Sequence, residues 1–423
     1  MPFFRTEILR GLGRSPVSIL MVVLAVVSNI WAEGFRNPPA GAGALGHGGD
    51  DIVWGEGPGS VAQNPANLVN LTAAQMAVEP GFVFIRSSYR SPGGVTGTTE
   101  EPWKALPAMF AGIPIKDSRF TLGLGVTVPF GESVIWQPGG PFKYTAPYRT
   151  DLKVFNFNPT LAFRATDKIS VGVGMDIAFS ELKFIQLYPW FLFGAGNPDG
   201  VARFRGEGIG LGANAGVAWQ LTDRQRVAAT VRTPIAIDYS GDFTISNIPA
   251  GAPPGVTSYS RFVSRIVYPT IASVGYGVKV NDKVRVETDV EWIQFSNFKS
   301  LSVNIGNNTV LLPSKTINES WKNTFTAGIS GDWQITPAWV LRAGYRFYQS
   351  PMRDYTYTPI IPDANQQVFT VGIGYQHNKH SVEASYGGIF YDDRNITSNQ
   401  NPAYLGKYKF QVHLFACAYR YSF

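Results

Sequence analysis

The sequence predicts an all-β protein: a 14-stranded antiparallel transmembrane β-barrel with an N-terminal hatch, or plug, in its lumen. Three observations carry this prediction. Long segments alternate strictly between apolar and polar residues. Short turns alternate with long loops. The chain ends on an aromatic residue that closes an amphipathic strand.

Residues 1–32 read as a secretory signal peptide. Arg5, Arg10 and Arg14 form a positive n-region, Val17–Val27 an apolar core, and Ala32 a residue suited to precede cleavage. The apolar run is shorter than the ~20 residues a spanning helix needs, and no other segment approaches that length. An exported chain without a helical span is either soluble or a barrel.

Residues 33–72 are rich in Gly, Ala, Asn and Pro and show no sustained period of two. Such a stretch does not belong in a barrel wall. The lumen is its natural place, because irregular backbone at membrane depth is tolerated only where protein or water covers it.

Residues 73–423 supply the wall. Between Val284 and Gln294, Val284, Val286, Thr288, Val290 and Trp292 fall on one face and Arg285, Glu287, Asp289 and Glu291 on the other, since successive side chains of a strand point to opposite sides. The same rhythm runs through Ile169–Ser180, Thr324–Ser330 and Trp339–Phe347. A soluble sandwich alternates too, but here the strands are long. Tryptophans such as Trp219, Trp333 and Trp339 sit at strand ends, where interfacial girdles form. Six short turns (116–118, 166–168, 222–225, 281–283, 336–338 and 377–380) alternate with long loops (138–147, 188–201, 247–259, 306–316, 351–365 and 392–404). Short periplasmic turns and long outer loops mark bacterial barrels. In the last strand His413, Phe415, Cys417, Tyr419, Tyr421 and Phe423 share a face. Such a terminal aromatic strand resembles the signal that the barrel assembly machinery reads.

Composition narrows the function. The mean hydropathy is −0.03, as expected of a wall that pairs each lipid-facing residue with a lumen-facing one. The net charge of +6 is dispersed, so nothing resembles a nucleic-acid patch. The single cysteine, Cys417, excludes an internal disulfide. Gly41–Gly46 fits GxGxxG but follows no strand, which leaves tight packing as its reading. His377 and His380 have no third ligand nearby, so no metal site is expected. Asp50 and Asp51 read as partners for lumen arginines such as Arg342. No motif ties a serine to His47 or His413, as a barrel hydrolase would need. The chain reads as a non-enzyme without cofactor.

Ordered motifs then point to a family. Glu33-Gly34-Phe35 is followed by Asn64-Pro65-Ala66-Asn67-Leu68, Leu122–Gly131, Asn158-Pro159, Arg232–Ile235, Asp289–Trp292, Leu341–Tyr345 with Gln349-Ser350-Pro351, and Phe390–Asp393. Taken together, this set resembles the FadL family of outer-membrane transporters of long-chain fatty acids and other hydrophobic compounds. The resemblance implies a 14-stranded barrel closed by a hatch, with Phe35, Asn64, Pro65 and Ala66 in it. It implies an inward kink in strand 3, taken here as roughly 119–131, that opens the wall sideways. Gly123, Gly125, Pro129 and Phe130 are the candidates for that kink, and Pro and Gly do mark bends or gaps in strands.

Leu187, Tyr188, Trp190, Phe191, Leu192 and Phe193 make an apolar stretch in an outer loop, and such patches mark interaction sites. They are candidates for a substrate-catching groove. Arg149, Lys153, Arg203, Arg205 and Arg232 are candidates for binding a carboxylate. The expected ligand is a fatty acid, with monoaromatic hydrocarbons as the alternative and a barrel lipase or protease as the remote one. Expected surroundings are outer-membrane lipids and lipopolysaccharide, the assembly machinery at Phe423, and a monomeric state.

Overall fold

The computed structural model describes residues 34–306 and 315–423. The predicted signal peptide and most of the 306–316 loop lie outside these residues. The described chain forms a closed antiparallel barrel of 14 strands. They are β1 (Gln75–Val78, continued by Gly81–Arg90), β2 (Trp103–Leu106 and Met109–Pro114), β3 (Phe120–Ile135), β4 (Arg149–Arg164), β5 (Ile169–Tyr188), β6 (Gly200–Gln220) and β7 (Gln225–Arg232 and Ile235–Ile245). The second half comprises β8 (Tyr259–Tyr268 and Ile271–Lys279), β9 (Val284–Ile293 and Ser300–Ile305), β10 (Lys315–Asn318 and Thr324–Gln334), β11 (Trp339–Tyr348), β12 (Gln366–His377), β13 (His380–Tyr391) and β14 (Gly406–Ser422). The sheet closes where β14 pairs with β1, from Gly81↔Ala416 to Arg90↔Lys407.

Exposure inverts the soluble pattern. On β9, Val290 is 51% exposed while Asp289 is 2% exposed. Phe325, Ile329, Val371, Met175, Ile209 and Leu211 likewise face outward, and Thr326, Ser330 and Asp176 face inward. An apolar exterior around a polar, charged interior is the pattern of a barrel in lipid. Among the described residues no helix is long and apolar enough to cross a membrane. Trp219, Trp333 and Trp339 stand exposed beside the short turns, at the level of one aromatic girdle. Phe415, Tyr419 and Phe423 of β14 face outward as the sequence pattern requires.

β5 and β6, with 20 and 21 residues, are about twice the length that a membrane crossing needs. Their upper halves therefore stand above the apolar band. There the long loops fold over the mouth around buried aromatics. Trp136 Nε1 donates to the Pro359 carbonyl at 2.9 Å, and the Tyr404 hydroxyl donates to the Thr145 carbonyl at 2.6 Å.

β3 runs to Ile135, beyond the Gly131 end expected from sequence. It continues because a bulge absorbs Pro129: Thr127 pairs with Asn156 but Phe130 pairs with Val154, so β3 gains one residue on β4. A bulge of this kind bends the strand and flips which face each later side chain takes.

Candidate functional site

The bulge in β3 coincides with an interruption of the β2–β3 ladder. The two strands pair from Pro114↔Thr121 to Met109↔Val126. Backbone contact resumes only at the top, where Thr99, just before β2, bridges to Trp136 and the Glu100 N–H donates to the Ile135 carbonyl; in between, Lys104 Nζ of β2 donates to the Ser133 hydroxyl at 3.1 Å. Between those points β3 turns its backbone toward residues 34–37. The Asn37 N–H donates to the Pro129 carbonyl at 3.0 Å, its side-chain amide donates to the Val128 carbonyl at 2.7 Å, and the Gly131 N–H donates to the Phe35 carbonyl at 2.8 Å. Proline suits this place because it has no N–H to withhold from a ladder.

Phe35, behind this contact, is enclosed by aromatic rings. Trp321 stacks on it at 5.0 Å between centroids. Tyr268, Phe298, Phe295 and Phe130 surround it at 5.1, 5.2, 5.8 and 6.1 Å.

The rest of the N-terminal segment, to Leu71, packs on the inward face of the wall. A short helix, Ala42–Gly46, lies on β12 and β13, where Ser385 donates to the Ala42 carbonyl and Thr370 to the Gly46 carbonyl. His47 follows. Its Nε2 lies 2.8 Å from Asp332 and its Nδ1 3.2 Å from Asp51. Asp332 also meets Arg285 at 2.8 Å and Arg342 at 3.3 Å. Burial alone would lower the His47 pKa, but the charge and hydrogen bond of Asp332, with those of Asp51, outweigh it and raise it to about 10. The two carboxylates thus favour the protonated imidazole.

Asp50 pairs with Arg346, which reaches Asp289 at 2.8 Å. Asp50 thus has a lumen arginine as expected, though not the example Arg342, which meets Asp332 and Glu383, while Asp51 meets His47. The acidic face of β9 is used throughout. Glu287 accepts from the Trp54 N–H at 2.8 Å and the Val53 N–H at 3.3 Å, and Glu291 pairs with Arg36.

Asn64, Pro65 and Ala66 are all buried. Asn64 caps the following turn by accepting from the Ala66 N–H at 3.1 Å, and donates to the Ile52 carbonyl at 2.8 Å and to the Val217 carbonyl at 3.3 Å. Gly172 of β5 lies directly beneath, where a Cβ would come within 2.6 Å of the Ala66 nitrogen. Only glycine lets this turn seat on the wall.

Gly123 and Gly125 lie below the interruption, in intact ladder. Their missing side chains make room for the N-terminal segment instead. A Cβ on Gly123 would come within 2.7 Å of Leu68 and Val61, and one on Gly125 within 2.9 Å of Val61. Of the four residues expected at a kink, only Pro129 and Phe130 stand at the break itself.

The basic candidates are also redistributed. Arg149, Lys153, Arg203 and Arg205 share the parity of the outward residues Phe179 and Ile209, so they stand on the outer wall and not in the lumen. Arg232 alone faces inward, paired with Asp176. The apolar loop divides as well. Trp190 is fully buried and donates to the Ser246 carbonyl at 2.8 Å, whereas Phe191 and Leu192 are exposed. Leu187 and Tyr188 line an apolar recess of about 40 Å³ with Phe184, Phe204 and Ile305. Phe193 packs against Trp190.

An inner cavity of about 100 Å³ lies between the N-terminal segment and the wall. Arg36, Pro39, Ile52, Arg232, Arg346 and Leu414 are among the residues that line it. The family resemblance implies an inner pocket near the hatch, but neither these lining residues nor the pairing of Asn37 with β3 was foreseen from the sequence. The acidic run on β9 was the one available signal that the lumen wall needed donors from elsewhere.

With this arrangement in view, the comparisons are decisive. The family model described as "Outer membrane protein transport protein (OMPP1/FadL/TodX)" matches residues 23–423. The chain belongs to this family. The FadL/TodX match spans both wall and N-terminal segment, and places the protein in the outer membrane as a transport protein rather than an enzyme. Among its relatives, the long-chain fatty acid transport protein of Escherichia coli K12 is 22% identical over 452 residues, covering 96% of this chain and 98% of the relative. A FadL homologue from Pseudomonas aeruginosa has the same fold, with a TM-score of 0.80 at 21% identity over 92% of this chain and 100% of the other. The toluene transporter TodX of Pseudomonas putida gives 0.73 at 17% identity, covering 93% and 100%.

Proposed function

We propose that the protein passively admits long-chain fatty acids through the outer membrane, with residues 33–72 as the hatch, behind a signal peptide at 1–32. One observation carries the route: β3 gives up its β2 ladder beside the N-terminal segment, where Val128, Leu106 and Ala108 border a small apolar recess. A ligand caught at Phe191 and Leu192 enters over the apolar recess at Leu187 and Tyr188. It reaches the inner cavity and leaves sideways between β2 and β3 into the bilayer. No energy source or cofactor enters this scheme. Outer-membrane lipids and lipopolysaccharide surround the barrel, the assembly machinery engages the strand ending at Phe423, and the working unit is a monomer.

A second reading, uptake of monoaromatic hydrocarbons, is favoured by one measure. Drug-sized ligands occupy pockets of roughly 300–1,000 Å³, while a cavity of about 150 Å³ holds benzene. The inner cavity, at about 100 Å³, is nearer the smaller ligand, so a fatty acid requires the hatch to shift. The two readings separate in a Gram-negative strain lacking its own fatty acid transporter. Uptake of labelled oleate above the empty vector supports the first. Uptake of labelled toluene alone supports the second, and neither, with the barrel inserted, removes both.

A further inference from the structure

The outer wall carries a feature that transport does not use. Above the apolar band, the upper halves of β2 to β7 form a concave outer face enclosing about 740 Å³, lined by charged residues. On β5 the last strongly lipid-exposed residue is Phe179, and Lys183 stands four positions above it. On β6 Arg205 and Arg203 stand four and six positions above Ile209. At about 3.3 Å per residue this places the three cations just outside the hydrocarbon, at headgroup depth.

Each of two cations faces a carboxylate across the sheet, Lys183 opposite Asp151 and Arg205 opposite Asp242, but those carboxylates are engaged elsewhere: Asp151 holds Arg149 at 2.7 Å and Asp242 holds Arg261 at 2.8 Å, while Glu181 stands opposite Lys153 and Glu207. Among the described residues Lys183, Arg203 and Arg205 make no ion pair. Lys183 and Arg205 are direct cross-strand partners, with Arg203 two residues along the same face. Like charges placed opposite each other destabilise a sheet. The arrangement is relieved by an anion that all three can reach, since cross-strand partners lie about 5 Å apart and same-face neighbours about 7 Å. A phosphate fits that spacing, and arginine is suited to hold one through two parallel N–H donors.

We propose that Lys183, Arg203 and Arg205 form a binding site for a phosphorylated glycolipid headgroup of the outer leaflet, that of lipid A. The commitment to a lipid rather than a soluble phosphate follows from depth: acyl chains anchored by this headgroup lie directly against Phe179, Ile209 and Leu211 below it. The site stands on the outer-membrane location and the wall geometry, and is independent of which substrate the lumen carries.

The test titrates purified full-length barrel in detergent with bisphosphorylated lipid A and with the same lipid stripped of phosphate, scoring bound lipid by native mass spectrometry. The wild-type protein retains the bisphosphorylated form preferentially. The triple variant K183Q/R203Q/R205Q binds it about tenfold more weakly or worse, while R224Q/K283Q, in the short turns, matches wild type. Heat-modifiable gel mobility confirms that each barrel is folded. Equal binding of the two lipids by the wild type, or equal binding by the triple variant, overturns the proposal; the first comparison needs no mutant.

Discussion

Asn37 holds Pro129. Its backbone N–H takes the Pro129 carbonyl at 3.0 Å while its side chain takes the Val128 carbonyl at 2.7 Å, so two acceptors that β3 withdraws from the barrel are satisfied by one residue of the N-terminal segment. An unpaired buried carbonyl costs about 1–3 kcal/mol. Asn37→Ala is therefore expected to speed hydrogen exchange at Gly131, whose N–H depends on the same contact, without affecting β9. Unchanged exchange at Gly131 would show that the bulge holds its shape by itself.

Asn64→Ala removes the turn cap and the donors to Ile52 and Val217. Loss of a cap alone costs about 0.5–2 kcal/mol. Uptake should change at equal surface level, with the barrel inserted normally, and Pro65→Ala should act in the same direction. Normal uptake by both variants would rule out a gating role for the turn.

A bulky residue in the break should block the lateral path. Ala108, buried beside Val128 and Leu106, is the place for it. We expect Ala108→Trp to cut flux several-fold by filling the recess that Ala108 shares with Pro38–Gly41, with barrel insertion unchanged. Gly125→Trp is a different test: it would collide with Val61 and disturb the N-terminal segment, at a cost of about 1–3 kcal/mol or more from overpacking. If flux through Ala108→Trp equals wild type, exit does not pass between β2 and β3.

His47 makes docking depend on pH. Its folded pKa of about 10 lies above the ordinary 6.5, so its stabilising contribution is complete below about pH 6.5. The contribution persists at neutrality in reduced form and is lost as pH rises through 10. A spin label at Gln63→Cys, in a Cys417→Ala background, should become more mobile between pH 8 and 11. His47→Gln should be mobile already at pH 7 and lose this dependence. A label equally immobile at both ends of the range would mean that the other ion pairs suffice.

The wall was legible because the period of two runs through long strands with aromatics at their ends, and because short turns alternate with long loops. That period also held the answer to the basic candidates: Arg203 and Arg205 have the parity of Ile209 and Leu211, so their outward placement could have been counted along the strand. The bulge at Thr127–Phe130 was not readable in the same way, since one extra residue leaves no mark in composition beyond Pro129. The pairing of Asp50 with Arg346 rather than Arg342 follows from where a segment without periodicity comes to rest, and local sequence carries no rule for that. Gly123 and Gly125 show the ambiguity of glycine in a strand, which marks either a bend or the close approach of another chain segment.

The ion pairs of the lumen are unevenly distributed along the N-terminal segment. His47, Asp50 and Glu56 are bound to Asp332, Arg346 and Arg285, whereas the stretch from Pro38 to Gly41, with Gly41 at φ +101°, contributes no charge. Residues 34–37 are therefore a leash on a fixed post. Pulling them from β3 costs three hydrogen bonds and one aromatic socket, plus the Arg36–Glu291 pair, while the post stays seated. A passing molecule would need to lift only this short stretch.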